Sequence, residues 1–146
     1  MNTENVAMGY IFYEDKCLLV KHKKTGKYMS CGGHIEENEL IQEALIREIK
    51  EELNLDINLH QVKNDFNSLE NELTVPFVIN CKKISNSKRI QIFEYICFTK
   101  NLSNLKVKLD EIENYKLFNY DEIKNSNEIT NSTKEIILRA FQILNL

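Results

Sequence analysis

Apolar residues fall along this chain in short runs whose period changes, and those changes predict its elements. Val6–Tyr13 and Cys17–Lys21 are β-prone runs separated by the polar Glu14-Asp15-Lys16, which reads as a hairpin. His22–Lys27 follows as a basic loop. Tyr28–Gly33 then enters a Gly-Gly turn, where backbone without Cβ can take positive φ or approach a ligand closely. From Asn38 to Leu53 the pattern is helical, with neither Gly nor Pro, strong helix formers and acidic residues near the start. Asp56–Phe66, Leu73–Cys81 and Arg89–Lys100 are further extended stretches. The aromatic and β-branched content of RIQIFEYICF marks the last as a central strand. Pro76 holds Val75 extended and, lacking an N–H, points to a sheet edge or strand start. Glu113–Tyr120 is another short extended piece. Thr130–Leu144 closes the chain as an amphipathic helix, with Ile136, Ile137, Ala140, Phe141 and Leu144 along one stripe. Strands that precede, separate and follow two main helices predict an α/β (α+β) layered domain with helices on both sides of a mixed sheet.

Composition narrows the class. The 146 residues, 42% of them hydrophobic, suit one domain spanning 1–146, with no repeat, low-complexity tract or linker. A net charge of −3 offers no general attraction for nucleic acid or an anionic membrane. No run approaches the roughly 18 apolar residues of a membrane span, and MNTENVAMGY lacks the plan of a signal peptide. The expectation is a cytoplasmic protein with neither membrane nor nucleic acid as partner. Cys17, Cys31, Cys81 and Cys97 lie far apart, without metal-site spacing or a reason for disulfides.

Chemistry enters with the first helix. At 100° per residue from Leu40, the residues Leu45, Ile46, Ile49 and Leu53 fall between about 140° and 240°, a core-facing stripe. Glu39, Glu43, Arg47 and Lys50 fall between about 260° and 340°, on what reads as a solvated face. Glu51, Glu48 and Glu52 fall at about 20°, 80° and 120°, on the flank that Leu40, Ala44 and Ile41 occupy earlier. Carboxylates at i, i+3 and i+4 repel one another, and the C-terminal end of a helix disfavours anions. Arg47 and Lys50 point away from them on this wheel. A cation would compensate, and hard oxygen ligands suit Mg²⁺ or Mn²⁺. The angles alone leave a plain solvated acidic face equally open.

Residues 33–55 resemble the signature of the Nudix hydrolase family: Gly33, five residues, Glu39, seven residues, then Arg47-Glu48-Ile49-Lys50-Glu51-Glu52-Leu53-Asn54-Leu55. The family's final Gly is Asn54 here, a mild change where αL geometry is wanted, and Cys31 stands where Pro usually precedes the Gly pair. The resemblance implies a Nudix-type α/β/α sandwich and a divalent metal, Mg²⁺ or Mn²⁺, held by Glu48, Glu51, Glu52 and the Gly32 carbonyl. It implies that Glu39 and Arg47, with Gly33, brace the loop-helix-loop. The chemistry implied is attack of water on phosphorus in a nucleoside-diphosphate-linked substrate. The general base differs between members: here Glu48, Glu52, or a Glu of the later loop, where Glu111 is preferred and Glu113 competes. His34 and the loop of His22, Lys23, Lys24 and Lys27 read either as substrate contacts or as ordinary surface. No substrate-binding residue is named.

Markers of several subgroups are absent. ADP-ribose and diadenosine-polyphosphate hydrolases tend to carry Pro or Tyr where this chain has Glu70-Asn71, and Pro76 is too late. The patterns of NADH and coenzyme A hydrolases are missing too. What remains is the group acting on (deoxy)nucleoside triphosphates. The rival from another class is a catalytically silent Nudix-fold sensor of a nucleotide or metabolite; a bare Ca²⁺-binding acidic domain is a third. A homodimer is compatible with any of them.

Overall fold

Strand β1 (Asn2–Tyr13) organises the sheet because both of its edges are used. In the computed structural model, which describes residues 1–61 and 66–146, β1 runs parallel to β7 (Lys88–Phe98), in register from Asn2 opposite Lys88 to Phe12 opposite Phe98. Its other edge is shared. The C-terminal end pairs antiparallel with β2 (Lys16–His22) in the expected hairpin; the two strands then diverge. A bent pair of short strands fills the fork: β3 (Tyr28–Met29) lies on β2, and β4 (Cys31–His34) lies on the N-terminal half of β1. The far edge of β7 carries β5 (Asn58–Leu59) and β6 (Val78–Lys83), and the far edge of β2 carries β8 (Ile112–Phe118).

Alternation along the strands sorts side chains between two cores. Ala7 and Ile11 of β1, Leu18 and Val20 of β2, and Tyr95 and Cys97 of β7 pack with helix α1 (Ile41–Leu53), through Ala44, Leu45, Ile49 and Leu53. The alternate residues Tyr10, Phe12, Cys17, Leu19 and Ile96 pack with α2 (Tyr120–Asn125) and α3 (Asn131–Ile143), through Ile123, Ile137, Ala140 and Phe141. Helices therefore cover both faces of a mixed sheet, as the pattern predicts.

Several boundaries differ from the expectation, each for a local reason. Tyr28–Gly33 is the β3–β4 pair rather than a turn. Helix α1 starts at Ile41, not Asn38, because Asn38 sits at φ +65° and Leu40 is still extended. Ile46 is 44% exposed and Ala44 takes its place in the core stripe. Within Asp56–Phe66 the described residues show a strand at Asn58–Leu59, and residues 62–65 lie outside those described. The strand expected at Leu73–Cys81 begins only at Val78, after Pro76, and β6 is indeed an outer strand. Tyr120 leaves the last strand to open α2, whose N-cap Asn119, in the stretch read as extended, forms a capping box with Glu122 beyond it. Cys17, Cys31 and Cys97 are buried free thiols and Cys81 is an exposed one. Among the described residues no helix is long and apolar enough to cross a membrane.

The two sides of α1 give opposite expectations. Leu53→Ala should lower unfolding free energy by about 2–5 kcal/mol in urea titration, whereas Ile46→Ala, on the exposed side, should cost under about 0.5 kcal/mol.

Candidate active site

The site is built where β4 leaves β1 and the chain enters α1. Gly32 and Gly33 lie opposite Met8 and Ala7 of β1, and a Cβ at either would meet a close neighbour. A Cβ on Gly32 would stand 2.0 Å from the Ala7 carbonyl oxygen; one on Gly33 would stand 2.5 Å from the carboxylate carbon of Glu48. The Glu48 carboxylate thus rests against backbone that only glycine leaves open.

Arg47 fixes that carboxylate and the loop together. Its Nε donates to Glu39 Oε2 at 2.7 Å, its Nη2 to Glu39 Oε1 at 3.0 Å and to the His34 carbonyl at 3.1 Å. Its Nη1 reaches Glu48 Oε1 at 2.9 Å, with Glu51 Oε2 at 3.6 Å. Arg47 therefore does not point away from the carboxylates, as the helical wheel suggests: its long side chain folds back across them. Lys50 does turn elsewhere, to Asp56 at 3.1 Å. The Arg47 pair, followed by the Glu36 N–H, holds the Glu39 carboxyl down to about 2 from its ordinary 4.5.

Glu52 is more enclosed. It accepts the Cys31 S–H at 2.7 Å between Sγ and Oε2. Burial raises its carboxyl above the usual range; the thiol hydrogen bond opposes this, and the charges of Glu48, Glu111 and Glu51 add to it. Glu51 is the outlier, with a side chain 55% exposed, so the covered flank holds Glu48 and Glu52 only.

Glu111 arrives from the other direction. The chain before β8 is laced to the end of α1, the Lys106 and Lys108 N–H groups donating to the Leu53 and Glu52 carbonyls at 3.0 and 2.8 Å. Asn54, in the left-handed region at φ +53°, closes the helix through its N–H to the Lys50 carbonyl, and its side chain donates to the Asn104 carbonyl at 3.0 Å. The far end of this segment is tied to the basic loop: the Lys23 N–H donates to the Glu111 carbonyl at 2.9 Å and the Lys23 Nζ to the Leu109 carbonyl. The Glu111 carboxylate has no ion pair or hydrogen bond among the described residues.

Two cavities meet at these side chains. One, of about 190 Å³, is lined by Glu48, Glu51, Glu52, Lys108, Asp110 and Glu111. The other, of about 270 Å³, is bordered by Gly32, Gly33, His34, Ser30, Met8 and His22. Glu48, Glu52 and Glu111 line both. Glu113, one residue past buried Ile112, borders neither. His34 lines the second cavity while bonded to Glu4 at 2.7 Å, and His22 is the member of the basic loop that reaches the wall. Ser30, Met8 and Lys108 were not singled out from the sequence. Ser30 and Met8 look like ordinary strand residues, and only the fork places them at the wall.

The donor set is all hard oxygen and suits Mg²⁺ or Mn²⁺. It is not a finished cage: among the described residues no three His, Cys, Asp or Glu side chains are already gathered at metal-binding spacing. Glu48 and Glu51 lean on Arg47, and Glu52 on Cys31. The Gly33 cradle places the Glu48 carboxylate at the bend.

Comparison with known proteins assigns the architecture. A family model described as NUDIX domain matches residues 3–140. A NUDIX-family hydrolase from Clostridium perfringens is similar at 30% identity, covers 99% of each chain and superposes with a TM-score of 0.85. A MutT NUDIX hydrolase from Burkholderia pseudomallei (21% identity, 95% of this chain and 98% of that one, TM-score 0.66) shares the fold. So does a MutT protein from Methanosarcina mazei Go1 (14% identity, 98% and 95%, TM-score 0.66). No curated protein matches the sequence.

The Gly pair and the Arg47 clasp each carry a test. Gly32→Ala should destabilise the fold in thermal melting, because backbone blocks the methyl group. Gly33→Ala should melt closer to wild type, with Glu48 displaced in its crystal structure. Glu39 has a depressed folded-state carboxyl, so its stabilisation is present above the unfolded value of 4.5 and fades as pH falls towards about 2. Denaturant curves for wild type and Glu39→Gln should therefore converge across that window; a pH-independent difference would reject the Arg47 clasp as its cause.

Proposed function

The chain belongs to the NUDIX family of hydrolases, and from that premise we propose that it hydrolyses a nucleoside-diphosphate-linked substrate, a (deoxy)nucleoside triphosphate first among them, with a divalent cation. The observation that carries this reading is that Glu48, Glu52 and Glu111 border both cavities at the Gly32-Gly33 bend. Glu48, Glu51, Glu52 and the Gly32 carbonyl would hold Mg²⁺ or Mn²⁺. Such an ion, when bound, neutralises phosphate oxygens and makes a water more acidic.

The chain's own groups divide the remaining work. A carboxylate within reach of the attacking water takes its proton as the new P–O bond forms and the bridging P–O bond breaks. Glu111 suits this role because its carboxylate has no partner among the described residues, whereas Glu48 is engaged by Arg47 and Glu52 by Cys31. Glu39 and Arg47 keep loop and helix in place and touch no reacting atom. The products are a nucleoside monophosphate and pyrophosphate, or two phosphorylated fragments from an X-linked diphosphate.

A second reading, a non-catalytic nucleotide or metabolite sensor, is favoured by one observation: among the described residues the carboxylates are not gathered as a ligand set. Turnover separates the two. A panel of nucleoside triphosphates, nucleotide sugars, ADP-ribose and dinucleotides should give phosphate or pyrophosphate release with Mg²⁺ or Mn²⁺ and none after chelation. Glu52→Gln should lower kcat by about 10²–10⁴-fold with an unchanged circular dichroism spectrum. Binding without any turnover would select the sensor.

A further inference from the structure

Among the described residues, Glu94 of β7 is the one charged side chain that is buried, at 4% exposed. Its Oε1 accepts the Tyr10 O–H at 2.9 Å, while its Oε2 has no hydrogen-bond partner among the described residues. Among the described residues no Lys, Arg or His pairs with it, and burial pushes its carboxyl up. A buried carboxylate oxygen left unpaired is costly, and folding alone gives no reason to keep one.

Its place in the sheet supplies a reason. Glu94 lies directly opposite Met8 of β1, and Met8 lies directly opposite Gly32 of β4. Residues paired in this way share a face. Met8 and Gly32 both line the larger cavity, so Glu94 is one strand removed from its wall. On the same face, Tyr10 and Ile96 belong to the core under α3, whereas Ile92 and Met8 lie outside that core and are only half-buried. The sheet thus carries half-buried Met8 and Ile92 beside the candidate active site, with the buried, unpaired Glu94 acceptor between them and the core under α3.

We propose that Glu94 reads the nucleobase of the substrate, its Oε2 accepting a hydrogen bond from the exocyclic amino group of cytosine, adenine or guanine. This inference rests on the nucleotide-hydrolase reading and deepens it. Met8 and Ile92 take the flat apolar face of the base. A carboxylate has only acceptors to offer, so it rewards the N4 amino group of cytosine and repels the O4 carbonyl of uracil or thymine. A site built around such a group rejects the analogue that leaves it unpaired more sharply than an apolar pocket rejects a missing methyl.

The test is equilibrium binding of CMP and UMP by calorimetry, with CTP and UTP hydrolysis alongside, for wild type and Glu94→Gln. Wild type should bind CMP at least about tenfold more tightly than UMP. Glutamine offers both a donor and an acceptor, so Glu94→Gln should bring the ratio to within about threefold, with weaker CMP and stronger UMP binding. Equal affinities in wild type, or an unchanged ratio in Glu94→Gln, would overturn the proposal and leave Glu94 as a structural partner of Tyr10. The wild-type ratio decides the matter even if the variant does not fold. Hydrolysis of CTP and UTP at equal rates would sink this inference alone; no binding and no hydrolysis of any diphosphate would sink the functional reading beneath it.

Discussion

The guanidinium of Arg47 joins pieces of chain that the sheet leaves separate. A planar fork of donors is needed for this, because one group must face the Glu39 carboxylate, the Glu48 carboxylate and the His34 carbonyl at once. A lysine ammonium could satisfy one of these partners but not all three in their fixed directions. The clasp sets the entry angle of α1, and that angle decides which residues of the helix face the Gly32-Gly33 bend. The Glu48 cradle and the joint wall of the two cavities follow from it.

That wall concentrates negative charge in partial burial, a combination that folding by itself disfavours. Glu48, Glu51, Glu52, Asp110 and Glu111 surround one cavity, with Lys108 its only cation among the described residues. Arg47 relieves part of the repulsion, and the Cys31 thiol gives Glu52 a neutral donor. Cys31 occupies the position where a proline would supply stiffness but no hydrogen bond, so here the strand exchanges some rigidity for a contact to a site carboxylate. The remaining repulsion is what a divalent cation would remove.

The sequence reveals the part of this arrangement that is local. Residues 33–55 spell out the bend, the helix and its acidic flank, and Asn54 takes the left-handed conformation that its place after the helix requires. Periodicity gives α1, α3 and the long strands because each shows one side to a core and the other to solvent. Periodicity fails where contacts are distant. The β3–β4 pair looks like a turn because its partners, β2 and β1, precede it in the chain and diverge only in three dimensions. The wheel placed Arg47 away from Glu48 because it plots Cα directions, and a long side chain can fold back by several ångströms. Glu94 looks like one polar residue in an apolar run; only its pairing with Met8 sets it beside the candidate site. Glu111 could be named as a loop acid, but its choice over Glu113 depends on buried Ile112 and on the lacing of Lys106 and Lys108 to α1.

That lacing makes the last turn of α1 and the segment before β8 a single mechanical unit. The Glu52 carbonyl that ends the helix is the acceptor for the Lys108 N–H, and three residues further on the chain delivers Glu111. Local opening of proteins proceeds in cooperative blocks rather than residue by residue. Fraying at this helix end would therefore withdraw Glu52 and Glu111 together and dismantle both cavity walls in one step. Amide hydrogen exchange at Leu53, Asn54, Lys106 and Lys108 would then report a common opening free energy. The site would exist in two states, assembled or absent, with no half-built form between them.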